Sequence, residues 1–126
     1  MKRGGNRKQP VPTREEALGC RPVRDEAVRE EQLDDGLFRL SYPVRMRPWM
    51  ARLMQRFGGG IPEPVNKKIE LDELGSAVWR LIDGRRSVRQ IVGEFQVAYK
   101  LDRKEAEVSV TAFIRELGRR GIVGLK

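Results

Sequence analysis

The sequence predicts an α+β fold, a small antiparallel three-stranded sheet packed on a three-helix bundle. Three observations carry that expectation. Short runs in the first half alternate apolar and polar residues. The second half changes to helical spacing, and the two patterns stay segregated along the chain. A length of 126 residues suits one domain with a single modest core.

Residues 1–25 read as a basic disordered tail, poor in apolar periodicity. Lys2, Arg3, Arg7, Lys8, Arg14, Arg21 and Arg24 outnumber Glu15, Glu16 and Asp25, a net +4 that is half of the formal +8. The domain proper is expected over 26–126. Asp35-Gly36 is a hairpin signal, because glycine readily takes positive φ. It separates strands expected over 27–33 and 37–44. In the second, Phe38, Leu40, Tyr42 and Val44 alternate with Arg39, Ser41 and Pro43, so one face is buried. Pro43 lacks an N–H, which marks that strand end as an edge.

Residues 46–64 form a basic insertion. Pro48 suits a first helical turn, and Trp49, Met50, Leu53, Met54 and Phe57 fall on one face beside Arg45, Arg47, Arg52 and Arg56. Gly58-Gly59-Gly60, Pro62 and Pro64 end it. Packing on its own domain or on a second subunit is the expectation, with a membrane surface or a partner protein as alternatives. Alternation then resumes in "VNKKIELD". Val65, Lys67, Ile69 and Leu71 lie opposite Asn66, Lys68 and Glu70, as in a third strand whose lysines suit an edge.

Three helices complete the bundle. Asp72 caps the first, whose stripe is Leu71, Leu74, Val78, Leu81 and Ile82, with Trp79 beside it and Gly84 as the stop. Ser87 and Gln90 form a capping box for the second, with Val88, Ile91, Val92 and Phe95 as its stripe. Asp102 and Glu105 repeat that box for the third, before Ala106, Val110, Phe113, Ile114 and Leu117. "IVGLK" suits a short closing strand. A small sheet beside such a bundle is the winged-helix arrangement.

Composition excludes several functions. Histidine is absent and Cys20 is the sole cysteine. His-based acid–base catalysis, common zinc sites, cysteine-ligated clusters and an internal disulfide are therefore ruled out, and no cofactor is expected. "FGGGIPEP" lacks the Gly-Lys-Ser/Thr ending of a phosphate loop. No nucleophile–base pair is visible, so no catalysis is expected. No apolar run approaches the roughly 20 residues that span a bilayer. The basic start has no apolar stretch after it, so a cytoplasmic location is expected.

The stretches "KKIELDELGSAVWRLIDGRRSVRQIVGEF" and "EAEVSVTAFIRELGRRGIV" resemble the PqqD-like domain, also called the RiPP recognition element. The matching positions are Leu71, Asp72, Glu73, Asp83, Gly84, Ser87, Val88, Ile91, Phe113, Leu117, Gly121 and Ile122. The resemblance covers about 67–125 and rests mostly on core and cap residues. It implies a winged helix that binds peptide rather than DNA, holding the leader of a ribosomally made precursor for a modifying enzyme. In the founding pathway that enzyme is a radical SAM protein. This chain has no three-cysteine motif, so such chemistry belongs to a separate partner. The leader would add to the third strand, at Asn66, Lys67, Lys68, Ile69 and Glu70, and lie against the third helix. There Val108 and Ala112 offer an apolar floor or extend the core. Arg115 and Arg119 pair with acidic leader residues or serve the helix dipole. The tail and the insertion depart from short family members; the insertion could cover the groove or support a homodimer.

A winged-helix DNA regulator is the alternative. Arg85, Arg86, Arg89 and Gln90 stand where a second helix begins, and Arg and Gln suit phosphate and base contacts. A winged helix normally inserts its third helix, however. Here that helix starts with Asp102, Glu105 and Glu107, which oppose phosphates. Neither nucleic acid nor membrane is the expected partner.

Overall fold

The computed structural model describes residues 13–44, 48–58 and 65–126. In chain order it contains α1 (Arg14–Gly19), β1 (Pro22–Arg24), β2 (Arg29–Gln32), β3 (Phe38–Val44) and α2 (Pro48–Arg56). There follow β4 (Val65–Glu70), α3 (Glu73–Leu81), α4 (Val88–Tyr99), α5 (Arg103–Arg119) and β5 (Val123–Leu125). The α+β class holds: a three-stranded antiparallel sheet ordered β2-β3-β4 stands beside helices α3, α4 and α5.

The β2–β3 hairpin turns at the expected place. Gly36 has φ of 83°, and the Leu33 N–H donates to the Leu37 carbonyl at 2.7 Å. Alternation sends Phe38, Leu40 and Tyr42 into the core, where they meet Val78, Trp79 and Ile82 of the α3 region, and Ile91, Val92 and Phe95 of α4. Ala106, Val110, Ile114 and Leu117 bring α5 to the same core. Burying each such large side chain stabilises by about 1.5–3 kcal/mol before entropy. Asp72 caps α3 by accepting from the Gly75 N–H at 2.7 Å. Ser87 and Gln90 close their box at both hydrogen bonds, and Glu105 reaches back to the Asp102 N–H.

The expected tail is corrected in part. Residues 13–24 hold α1 and β1, and residues 1–12 lie outside the described residues. Thr13 and Glu16 make a capping box, Leu18 enters the core, and the Cys20 carbonyl accepts from the Val88 N–H. Two Arg14 nitrogens clasp Glu107 of α5, each at 2.7 Å. This hydrogen bond holds the Glu107 carboxyl below its usual range. β1 pairs antiparallel with β5, so the closing strand finds its partner about a hundred residues upstream. Three paired residues are too few for alternation to show, and a pairing so distant leaves no local signal.

Pro43 also resolves physically. β3 is the central strand, yet β2 begins only at Arg29, opposite Ser41. The Pro43 nitrogen therefore faces the side where β2 has already ended, and the β4 side continues to Val44.

Candidate functional site

Strand β4 forms because Val-Asn-Lys-Lys-Ile-Glu alternates faces and pairs with β3 from Val44↔Val65 to Arg39↔Glu70. Ile69 stands opposite Leu40, and Lys67 opposite Tyr42, on the side that faces the helices. On the other side Arg39 joins Glu31 and Glu70 into a ladder across three strands, with the Glu70 contact at 2.9 Å. Among the described residues, β4 pairs with β3 alone.

Hydrogen-bond parity fixes which groups that edge presents. The Leu71 N–H donates to the Phe38 carbonyl at 2.8 Å. In an antiparallel ladder this direction alternates residue by residue. Val65, Lys67 and Ile69 therefore turn their N–H and C=O groups to β3, and Asn66, Lys68 and Glu70 turn theirs outward. Where the ladder gives way to α3, the buried Ser76 hydroxyl takes over. It accepts from the Phe38 N–H at 3.1 Å and lies 3.4 Å from the Leu71 carbonyl.

The direction of α5 beside this edge follows from two contacts. Arg120, just past its end, donates to the Tyr42 hydroxyl at 2.7 Å, and this bond raises the guanidinium's pKa. A Cβ on Gly75 would lie only 3.1 Å from the Phe113 ring, so that ring of α5 reaches α3 where the glycine has no side chain. Ser109, Phe113, Glu116 and Arg120 recur at helical spacing and so share the side turned to the sheet. A cleft of about 560 Å³ opens between the sheet and the end of α5, lined by Lys67, Tyr42, Pro43, Val44, Asp25 and residues 118–121.

The sequence-derived residues divide accordingly. Asn66, Lys67, Lys68, Ile69 and Glu70 all lie on β4, and Lys67 and Arg119 line one cleft. Val108, Ala112, Arg115 and Arg119 form an exposed stripe, with Ala112 bordering the sheet side. Arg115 instead lines a second, more apolar groove between α1, α5 and β5. Phe113, Glu116 and Arg120 were not singled out by sequence for the sheet-facing side. Phe113 was read as core, and the other two carried no signal beyond charge.

A further cluster also escaped the sequence. The Arg24 guanidinium stacks 4.1 Å from the Trp79 ring centroid and donates to Glu30 at 2.8 Å and to the Trp79 carbonyl at 2.6 Å. Glu30 also accepts from the Trp79 indole N–H at 2.9 Å. These contacts tie β1, β2 and α3 together.

The arginines that open α4 are largely engaged. Arg86 binds Glu94 at 2.6 Å and Asp83 at 2.9 Å; Arg89 binds Glu15 at 2.9 Å. The Gln90 side chain closes its capping box. The N–H groups of Arg86 and Arg85 hold the Asp83 carboxyl below its ordinary value. Phosphate binding there would compete with these internal carboxylates. No group of three or more His, Cys, Asp or Glu side chains among the described residues could hold a metal ion, and no described helix is long and apolar enough to cross a membrane.

The family model for Coenzyme PQQ synthesis protein D (PqqD) matches residues 61–123. That span is half of the chain and includes β4, α3, α4 and α5. Comparison with curated proteins and with solved structures finds no match.

Proposed function

The chain belongs to the PqqD family, whose members are non-catalytic accessory proteins of peptide modification, and from that premise we propose that it captures a leader peptide by strand addition at β4. The bound leader belongs to a ribosomally synthesised precursor and is presented to a separate modifying enzyme, for which a radical SAM protein is one candidate.

The outer edge of β4, unpaired among the described residues, carries this reading. Asn66, Lys68 and Glu70 each offer one outward N–H and one outward C=O. Each hydrogen bond made there contributes about 0.5–1.5 kcal/mol net, so a few of them hold an extended peptide reversibly. The adjoining cleft supports selectivity. Lys67 and Arg119 line it, which favours a leader with an acidic side chain at that end of the strand. Arg119 and Arg120 already share Glu116, so an incoming carboxylate enters a mixed-charge site that is already partly neutralised.

The test uses the full chain labelled with ¹⁵N and synthetic leader segments of short precursor peptides, taken from genes adjoining its own where such a gene is found. Binding should slow exchange of the Asn66, Lys68 and Glu70 amides, while those of Lys67 and Ile69 are already protected by β3. Lys68→Pro removes an outward donor without cutting a bond to β3, and should weaken binding about tenfold or more. Protection confined to other elements, together with unchanged affinity in Lys68→Pro, would refute strand addition at β4.

A further inference from the structure

The apolar face of α2 has no partner among the described residues. Trp49 is 54% exposed, Leu53 44% and Phe57 82%, and Met54 is also exposed. Their spacing puts them on one side of the helix, with Arg52 and Arg56 together along its Trp49 border. The stretch 45–57 holds four arginines and no Asp or Glu. The described residues of the same chain leave these side chains exposed, so of the expected coverings a second subunit, a partner protein and a membrane surface are the ones to weigh.

Charge is also distributed along the sheet. Asp34 and Asp35 occupy the turn before β3, and the basic helix follows its other end. Roughly 23 Å of strand separates them at about 3.3 Å per residue. The acidic residues of that turn and the basic stretch of α2 are thus separated along the chain by the whole of β3.

We propose that α2 is an interfacial anchor for an anionic lipid surface. Trp49, Leu53, Met54 and Phe57 enter the boundary between headgroups and acyl chains, and Arg52 and Arg56 reach the lipid phosphates. A helix of nine residues extends about 13.5 Å, so it lies along a bilayer and does not cross it. The absence of a spanning segment among the described helices does not bear on such a contact, and the proposal takes up the membrane-surface alternative for this helix over packing on a subunit.

Charge complementarity selects this occupant. Pairing α2 with a second copy would bring two acid-free basic stretches together. A folded partner would need an apolar groove rimmed by acids, whereas an anionic bilayer offers both features at any point. Lys2, Arg3, Arg7 and Lys8 add basic charge elsewhere in the sequence, and surface anchoring is firmer with a second electrostatic contribution. The anchor is independent of the leader-peptide reading.

The two tryptophans make the test direct. Trp79 is 1% exposed inside the core, so a lipid-induced emission change reports Trp49. The full chain is mixed with vesicles of phosphatidylcholine alone or of phosphatidylcholine with phosphatidylglycerol, and followed by co-sedimentation and emission. Binding with a blue shift on the phosphatidylglycerol vesicles is expected, weakening with salt and much reduced on phosphatidylcholine alone. The double variant Arg52→Gln/Arg56→Gln should partition roughly twentyfold less, with an unchanged circular dichroism spectrum. Phe57→Ser should lower partitioning without removing the preference for anionic lipid. Equal binding to both vesicle types, binding to neither, or an unaffected double variant would overturn the proposal. So would a concentration-dependent blue shift without vesicles, which would assign the face to a second copy.

Discussion

Strands β2 and β4 flank the same central strand, and their outer edges differ in what they leave available. β2 has four residues, Arg-Glu-Glu-Gln, and its edge is short because Pro43 offers no donor beyond Ser41 on that side. Glu30 is drawn back to Trp79 and Arg24. β4 has six residues and three outward pairs of backbone groups beside a cleft. An edge becomes a binding surface through its length and its neighbours; strand character alone does not suffice.

Removing the brace behind β2 should have the largest effect. Trp79→Ala is expected to cost about 3–5 kcal/mol through lost burial, and to release Glu30 and Arg24. Denaturant unfolding would measure it, and a cost below about 1 kcal/mol would show that β2 is held by other means. Ser76→Ala comes next, at about 1–3 kcal/mol, because the buried Phe38 N–H loses its acceptor where the β3–β4 ladder ends.

The comparison itself is sharpened by placing one substitution on each edge. Gln32→Pro alters an outward position of β2 and should leave leader affinity unchanged, in contrast to Lys68→Pro on β4. Parallel titrations would reveal any equivalence of the two edges. The smallest effect concerns pH at the α1–α5 clasp. Glu107 has a depressed carboxyl pKa in the folded chain, so its contribution is present above about pH 4.3, the unfolded value, and fades as pH falls through the folded value. Melting temperatures of Glu107→Gln should therefore approach those of the unmodified protein as the solution is acidified.

Much of this was legible from local pattern. The Asp35-Gly36 turn, the alternation of β3, the caps at Asp72, Ser87 and Asp102, and the β4 residues were all readable, since each rests on neighbours within a few positions. β1 was not, because three residues pair with a strand at the far end of the chain. The sheet-facing side of α5 was not readable either. Its core stripe is fixed by period, but nothing in that period says which flank turns to the sheet; the contacts of Phe113 with α3 and of Arg120 with β3 decide it.

The sequence by itself determined an α+β chain, a short lysine-bearing strand after a basic amphipathic insertion, and three capped helices, since turns, caps and periodicity act over a handful of residues. Only the tertiary structure decided which of the β4 residues turn their amides outward, which strand β4 pairs with, and that Trp49, Leu53, Met54 and Phe57 are left exposed by the described residues. Those properties depend on which distant segments pair and which do not, and pairing across the chain is settled by packing of the whole core.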